Sequence, residues 1–133
     1  MQDHVTKPVV DRAVYDEQRA TFGDARIVYF LSLLTEELAR RSVALEEAAR
    51  LDDRGELGRT AHAIASAAGN LGFVALMILC RRLEHELGTV PADEIDAVLD
   101  ELRQAIAVAH ETVGALCAEI AADAEAAVAP PAP

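Results

Sequence analysis

Apolar residues recur at intervals of three and four along almost the whole chain, and this periodicity constrains the fold more than any other feature. Such spacing places the apolar side chains on one face of an α-helix, whereas a half-buried strand alternates at every second residue. Turn-forming residues interrupt the pattern at Gly23, Asp52, Asp53, Gly72 and Gly88. The pattern therefore predicts five helical segments joined by short loops.

Each segment carries one apolar stripe. The short first segment contains Val10, Val14 and Phe22. The stripes of the four longer segments are Ile27, Leu31, Leu34, Leu38, Leu45 and Ala48; Leu57, Ala61, Ile64, Ala68 and Leu71; Phe73, Leu76, Cys80, Leu83 and Leu87; and Ile95, Val98, Leu102, Ile106, Ala109, Val113, Leu116 and Ile120. We predict an all-α fold, an up-and-down four-helix bundle with a short extra N-terminal helix.

Composition supports helices and a single domain. The chain has 133 residues, of which 52% are hydrophobic, 27 are Ala and only 4% are aromatic. These proportions favour helices over a β-sandwich, and the length suits one domain. We expect that domain at residues 9–127, between a flexible N-terminus at 1–8 and a flexible Pro/Ala tail at 128–133.

Two further expectations concern the helices. Asp24 is expected to cap the second helix, and Asp52 or Asp53 the third, because a short carboxylate can accept from the free amides of a first turn. A seven-residue rhythm is also typical of coiled coils, but glycines at positions 55, 58, 69, 72 and 88 interrupt it. The bundle is therefore the preferred interpretation.

The charge is acidic and unevenly distributed. The net charge is −11, and residues 84–133 hold 11 acidic side chains against the single basic Arg103. Nucleic acid is excluded as an expected partner, since phosphate binding needs a basic face. The N-terminus has no signal-peptide core, and the longest apolar run, Leu71 to Cys80, is shorter than the ~20 residues of a membrane span. We expect a cytoplasmic protein without a membrane partner, in which Cys80 and Cys117 are buried, reduced thiols.

His62 lies one position off the stripe of the third helix, on its outer face. Its helical neighbours are small apart from one arginine: Gly55, Gly58, Arg59, Ala65, Ser66 and Gly69. Such a strip would let another protein reach the imidazole. An ordinary exposed histidine on a helix packed closely against its neighbour would show the same pattern, so both interpretations stay open here.

The run from Ala61 to Gly72, AHAIASAAGNLG, followed by Leu76, Cys80, Leu83 and Glu84, resembles the core motif of histidine phosphotransfer (HPt) domains. That motif reads approximately AHxLKGxxxNLG, followed by L, C and LE. The resemblance extends over roughly residues 9–125. It implies an HPt-like bundle in which His62 is the phosphorylated nucleophile.

The resemblance also implies the function. His62 would accept a phosphoryl group from a receiver-domain aspartate or a kinase and pass it to a response-regulator receiver domain. The expected partners are such receiver domains and a hybrid sensor histidine kinase. The chain would be a monomeric phosphocarrier and not an enzyme, because it shows no ATP-binding or autokinase motif. It would need no cofactor of its own, with Mg²⁺ expected on the partner receiver domain.

Two residues depart from the motif. Ala65 and Ser66 stand where the family usually has Lys and Gly. We hypothesise that Arg59 replaces the missing charge, and that Arg59, Ala65, Ser66 and Gly69 assist the phosphoryl group or the partner. The docking candidates are Gly55, Gly58, Arg54, Arg81 and Arg82, together with apolar flanks of the second and third helices. The arginines are included because local positive charge would favour binding to an acidic receiver pocket.

The same residues bear on three alternative functions. A non-catalytic helical adaptor with a vestigial histidine is the main alternative, and a kinase-fed phosphotransfer domain like the one that opens chemotaxis kinases is a third. A metal-binding bundle would need Glu-x-x-His pairs, whereas His85 and His110 are directly adjacent to Glu84 and Glu111. We therefore predict no metal site and assign His85 and His110 no role.

Overall fold

The computed structural model describes residues 8–128. Its helices are α1 (Arg12–Phe22), α2 (Asp24–Arg50), α3 (Arg54–Asn70), α4 (Val74–Glu86) and α5 (Ile95–Val128), with a 3₁₀ turn at Ala92–Glu94. No strand occurs within these residues, and the predicted all-α fold is confirmed. Apart from Pro8 and Val128, the two expected flexible ends lie outside the described residues, and the expectation stays a prediction.

The four long helices close a ring. Helix α2 packs on α3 and α5, α4 packs on the same two helices, and α1 lies against α2. Every residue of the four predicted stripes is buried except Val98, which is half-buried. The loops between α2, α3 and α4 are three residues each, so consecutive helices run beside one another as an up-and-down bundle requires.

Helix α1 is anchored by a residue outside its predicted stripe. Tyr15 is fully buried, whereas Val14 and Phe22 are 36% and 40% exposed. The Arg12 guanidinium carbon lies 5.4 Å from the centre of the Tyr15 ring, and burial raises the pKa of the Tyr15 phenol. The predicted short first helix ending near Gly23 is confirmed, but Val14 and Phe22, which indicated it, do not form its buried face.

Of the two predicted helix caps, the one at α2 is wrong and the one at α3 is confirmed. Gly23, with φ of +85°, is the N-cap of α2, and Asp24 is the first helical residue. Asp24 instead accepts a hydrogen bond from Arg19 Nε (2.6 Å), and this arginine lowers the pKa of the Asp24 carboxyl. The cap of α3 is as predicted, because Asp53 accepts from the Glu56 amide at 3.0 Å.

A glycine turn fixes the junction between α3 and α4. Gly72 has φ of +80°, and the amides of Gly72 and Phe73 donate to the carbonyls of Gly69 (3.1 Å) and Ala68 (2.9 Å). These two bonds satisfy the last carbonyls of α3 in a Schellman arrangement. A Cβ at position 72 would lie 3.0 Å from the Asp11 carbonyl oxygen. The turn thus needs glycine both for its dihedral angle and for the close approach of the chain before α1.

We expect Gly72→Ala to lower the free energy of unfolding by about 2–4 kcal/mol, since it combines left-handed strain with a backbone clash. The measurement is equilibrium urea denaturation followed by circular dichroism. Gly88→Ala is the matched control, because no atom lies within 4 Å of its added Cβ and its φ is not positive. Equal stability of the two variants would contradict the prediction.

Helix α5 is apolar enough by length and composition to cross a membrane, with an 18-residue window of mean hydropathy 1.4. A core helix of a soluble bundle meets the same criterion. Val108 and Val128 of α5 are exposed, whereas seven of its large apolar residues are buried in the core of this bundle: Ile95, Leu99, Leu102, Ile106, Val113, Leu116 and Ile120. Since 28% of that window is buried inside the bundle, the core accounts for part of this composition.

Candidate functional site

His62 projects from the middle of α3 into solvent. Its side chain is 69% exposed, while Ala61 and Ile64 beside it are buried and hold the helix on the core. A rigid helix with a packed inner face thus presents the imidazole outward. The exposed position predicted from the periodicity agrees with this placement.

Glu84 on α4 holds one nitrogen of this imidazole. His62 Nδ1 lies 2.7 Å from Glu84 Oε1 and 3.2 Å from Oε2. Because a carboxylate can only accept, Nδ1 carries the hydrogen and donates it to Glu84. Nε2 then carries the lone pair, and it has no hydrogen-bond partner within residues 8–128. The contact with Glu84 therefore selects the tautomer that has its hydrogen on Nδ1.

The role of Glu84 was not predicted from the sequence. Glu84 was matched to the HPt motif only as its last residue, 22 positions after His62. Helical periodicity reports which face of a helix is buried, but not which residues on two different helices meet. The pairing becomes visible only when α4 is packed on α3.

A crevice of about 180 Å³ adjoins the imidazole between α3 and α4. It is lined by His62, Ala65, Ser66, Arg81, Glu84 and His85. Ala65, expected on the open strip, is buried and forms a wall of the crevice, whereas Ser66 is exposed. His85, to which the sequence assigned no role, belongs to the same lining. Within the described part of the chain, no group of three or more His, Cys, Asp or Glu could hold a metal ion.

Two of the three glycines attributed to partner access lie against α4 instead. A Cβ at Gly58 would lie 3.5 Å from the Glu84 carbonyl oxygen, and one at Gly69 only 2.8 Å from Met77 Sδ. The first contact is of ordinary van der Waals length, and the second meets a flexible side chain, so neither position requires glycine for α4 to pack on α3. Both positions nevertheless lie against α4, and the open strip is narrower than predicted.

Arg59 does not approach the imidazole in this structure. Its Nη2 lies 3.1 Å from Glu56 Oε2, and its Nη1 would be 3.3 Å from a Cβ at Gly55. The guanidinium therefore covers Gly55 and points toward the N-terminus of α3, away from His62. The hypothesis that Arg59 supplies the charge missing at Ala65 has no support from this geometry.

The other three arginines differ in where they lie. Arg54 donates to two backbone carbonyls in the loop after α4, at 2.9 and 2.7 Å, and so ties that loop to α3. Arg82 turns toward α5, where it donates to Glu101 at 2.6 Å. Only Arg81 lines the crevice beside His62. Of the basic docking candidates, the structure brings this one to the histidine.

An apolar groove lies on the other flank of α3, against α1 and α2, with a volume of about 590 Å³. Its lining comprises Gln18, Phe22, Phe30, Leu33, Leu34, Glu37, Arg40, Ala67, Asn70 and Leu71. Ala67 and Asn70 follow His62 by five and eight residues, which is roughly 8–12 Å along a helix. The sequence predicts apolar partner contact on the flanks of α2 and α3, where this groove lies, and that docking role stays a prediction.

The fold and the site together define a small helical bundle that presents one histidine, held at Nδ1 by a carboxylate, on its surface. The family model named Hpt domain matches residues 30–112, which is more than half of the chain. The chain belongs to the Hpt domain family. This membership supports a histidine phosphotransfer role in phosphorelays, in which such domains carry phosphoryl groups and do not act as catalysts. No curated protein and no solved structure matches the chain.

Proposed function

We propose that this protein is a phosphocarrier that accepts a phosphoryl group on Nε2 of His62 from a receiver-domain aspartate, or from a kinase, and transfers it to a response-regulator receiver domain. The observation that carries the proposal is the exposed imidazole whose Nδ1 is held 2.7 Å from Glu84. That contact leaves Nε2 as the unprotonated, solvent-facing nucleophile.

The transfer step uses the Nε2 lone pair. It attacks phosphorus of the aspartyl phosphate, and an N–P bond forms while the P–O bond to the aspartate breaks. The electron pair of that bond leaves with the aspartate carboxylate. The Nδ1 proton stays on the ring, where Glu84 offsets the positive charge that develops on the phosphorylated imidazole. Transfer onward is the reverse of this step with a second receiver.

Docking must bring the two reacting atoms to about 3–3.5 Å in line. The apolar groove lined by Phe30, Leu33 and Ala67 flanks His62 and offers a surface on which a receiver can bind. In this scheme the receiver supplies the aspartate and the Mg²⁺, and this chain supplies the nucleophile and the docking surface. We propose that the protein acts as a monomer in the compartment of its receivers, the cytoplasm.

The test is transfer of radiolabelled phosphoryl from a purified receiver domain, charged with a small acyl phosphate, to the full-length protein. We expect a label that is lost in acid and kept in alkali, as an N–P bond requires. A hybrid sensor kinase incubated with ATP serves as the second donor. The absence of such a label with both donors would favour the adaptor alternative, since Ala65 and Ser66 depart from the family motif.

We expect Glu84→Ala to slow phosphotransfer to His62 about tenfold, because the loss of a charge-assisted hydrogen bond frees the ring to rotate and to exchange its tautomer. Glu84→Gln keeps an acceptor oxygen and should stay within about threefold of wild type. The measurement is a single-turnover rate with a charged receiver. Glu86→Ala, on the same helix, is the control, because Glu86 pairs with Arg82 rather than with the histidine. A Glu84→Ala rate equal to that of the control would contradict the assigned role.

A further inference from the structure

We propose that Arg81 binds the phosphoryl oxygens while the group is being transferred to His62, and so accelerates formation of the N–P bond. This inference rests on the proposed function and adds to it a second residue that touches the transferred group. Three observations carry it: the position of Arg81, the absence of an ion pair for it within residues 8–128, and the charge of the crevice.

The first observation is position. Arg81 on α4 and His62 on α3 line the same crevice, and Arg81 itself is exposed. The crevice volume of about 180 Å³ compares with roughly 30 Å³ for one water in the liquid, so a tetrahedral phosphoryl group has room beside the imidazole. Ala65 forms a wall without filling this space. A guanidinium on a flexible stem can therefore reach the oxygens of a group bonded to Nε2.

The second observation is that Arg81 forms no ion pair within residues 8–128. The chain has a net charge of −11, and its carboxylates outnumber its basic side chains. Nine of the eleven arginines within residues 8–128 form ion pairs there, namely Arg12, Arg19, Arg40, Arg41, Arg50, Arg54, Arg59, Arg82 and Arg103. Arg26 and Arg81 form none in that part of the chain. A guanidinium left unpaired next to the nucleophile, in so acidic a chain, is available to an incoming anion.

The third observation is electrostatic. Glu84 places a carboxylate in the crevice, and a phosphoryl group brings about two further negative charges near neutral pH. Arg81 is the one arginine of the crevice lining, since the guanidinium of Arg59 lies on Glu56. The planar guanidinium fork matches two phosphoryl oxygens at once, which an ammonium cannot do. Arg81 can therefore offset the repulsion between Glu84 and the phosphoryl group.

The experiment uses phosphoramidate, a small phosphoryl donor, so that no docked partner is needed. Labelling of the full-length protein at His62 is followed by ³¹P NMR for wild type, Arg81→Ala, Arg81→Lys and Arg26→Ala. Arg26 is the matched control, because it is also exposed and unpaired within the described residues but does not line the crevice. We expect Arg81→Ala to label about tenfold more slowly, Arg81→Lys to recover part of the rate, and Arg26→Ala to match wild type. Circular dichroism melts check that every variant is folded.

A second measurement separates phosphoryl binding from docking. With a charged receiver, Arg81→Ala should lower the maximal single-turnover rate and leave the half-saturating receiver concentration nearly unchanged. If phosphoramidate labels Arg81→Ala as fast as it labels wild type, the inference is overturned. A change confined to the half-saturating concentration would also overturn it, because that result would make Arg81 a docking residue only.

Failure of the proposed function and failure of the Arg81 inference give different experimental results. If phosphoramidate labels wild-type His62 but no receiver does, the relay role fails while the comparison of Arg81 variants remains decisive.

A His85→Ala variant measures the contribution of the second histidine that lines the crevice. We expect its labelling rate to stay within about threefold of wild type, and a drop as large as that of Arg81→Ala would assign the phosphoryl contact to His85 and overturn the inference.

Discussion

Replacing His62 with Gln is expected to abolish phosphorylation of the protein, with a loss of label of at least about a thousandfold. Glutamine retains the approximate size and polarity of the imidazole, but its amide nitrogen has no available lone pair and cannot form the N–P bond. Because the side chain is 69% exposed, the substitution should leave the fold intact. The measurement is the radiolabel transferred from a charged receiver in a fixed time, together with a thermal melt of the variant.

His85→Gln is the matched control for this result. His85 is exposed, lies on α4 and lines the same crevice as His62, so it tests whether any nearby histidine can accept the group. We expect the His85 variant to label close to the wild-type level. A label that persists in His62→Gln and disappears in His85→Gln would move the nucleophile to α4 and contradict the proposed function.

Replacing Phe73 with Ala is expected to lower the free energy of unfolding by about 3–5 kcal/mol. Phe73 is fully buried at the N-cap of α4, directly after the glycine turn that ends α3. Truncation removes a large buried side chain from the hydrophobic core and leaves a cavity at the junction between α3 and α4. Since small domains have a total stability of only about 5–15 kcal/mol, this is a large fraction of it.

Phe22→Ala provides the comparison for the Phe73 variant. Phe22 is 40% exposed and packs edge-on against Phe30 with ring centres 5.3 Å apart, so its truncation should cost about 1 kcal/mol or less. Urea denaturation of both variants measures the difference. A cost below about 1 kcal/mol at Phe73 would show that the junction is not part of the cooperative core.

The amphipathic stripes were the most predictable feature of this protein. A stripe at intervals of three and four must be buried somewhere, and four such stripes joined by short loops leave few arrangements other than a bundle. The buried positions of α2 and α4 follow directly from this rule. Helix α1 did not follow it, because Tyr15 buries its ring through tertiary contacts that the pattern Val10, Val14 and Phe22 does not reveal.

The site was predicted in part. The motif around His62 and its place on the outer face of α3 are properties of one helix, and local sequence is enough to find them. Partners on a second helix are not local. Glu84, Arg81 and His85 are brought to His62 by the packing of α4, whereas Arg59, three residues away on the same helix, turns toward Glu56. Proximity in sequence was therefore a poor guide to which cation lies beside the histidine.

By itself, then, the sequence determined the helices, their buried faces and the candidate nucleophile, because each depends on periodicity and on residue type along a single segment. Only the tertiary structure decided what surrounds that nucleophile. The packing of α4 on α3 places Glu84 2.7 Å from Nδ1, and it leaves Arg81 beside the imidazole without an ion pair within residues 8–128. The physical reason is that hydrogen bonds and charge between helices depend on distances across the core, which no spacing along one chain segment encodes.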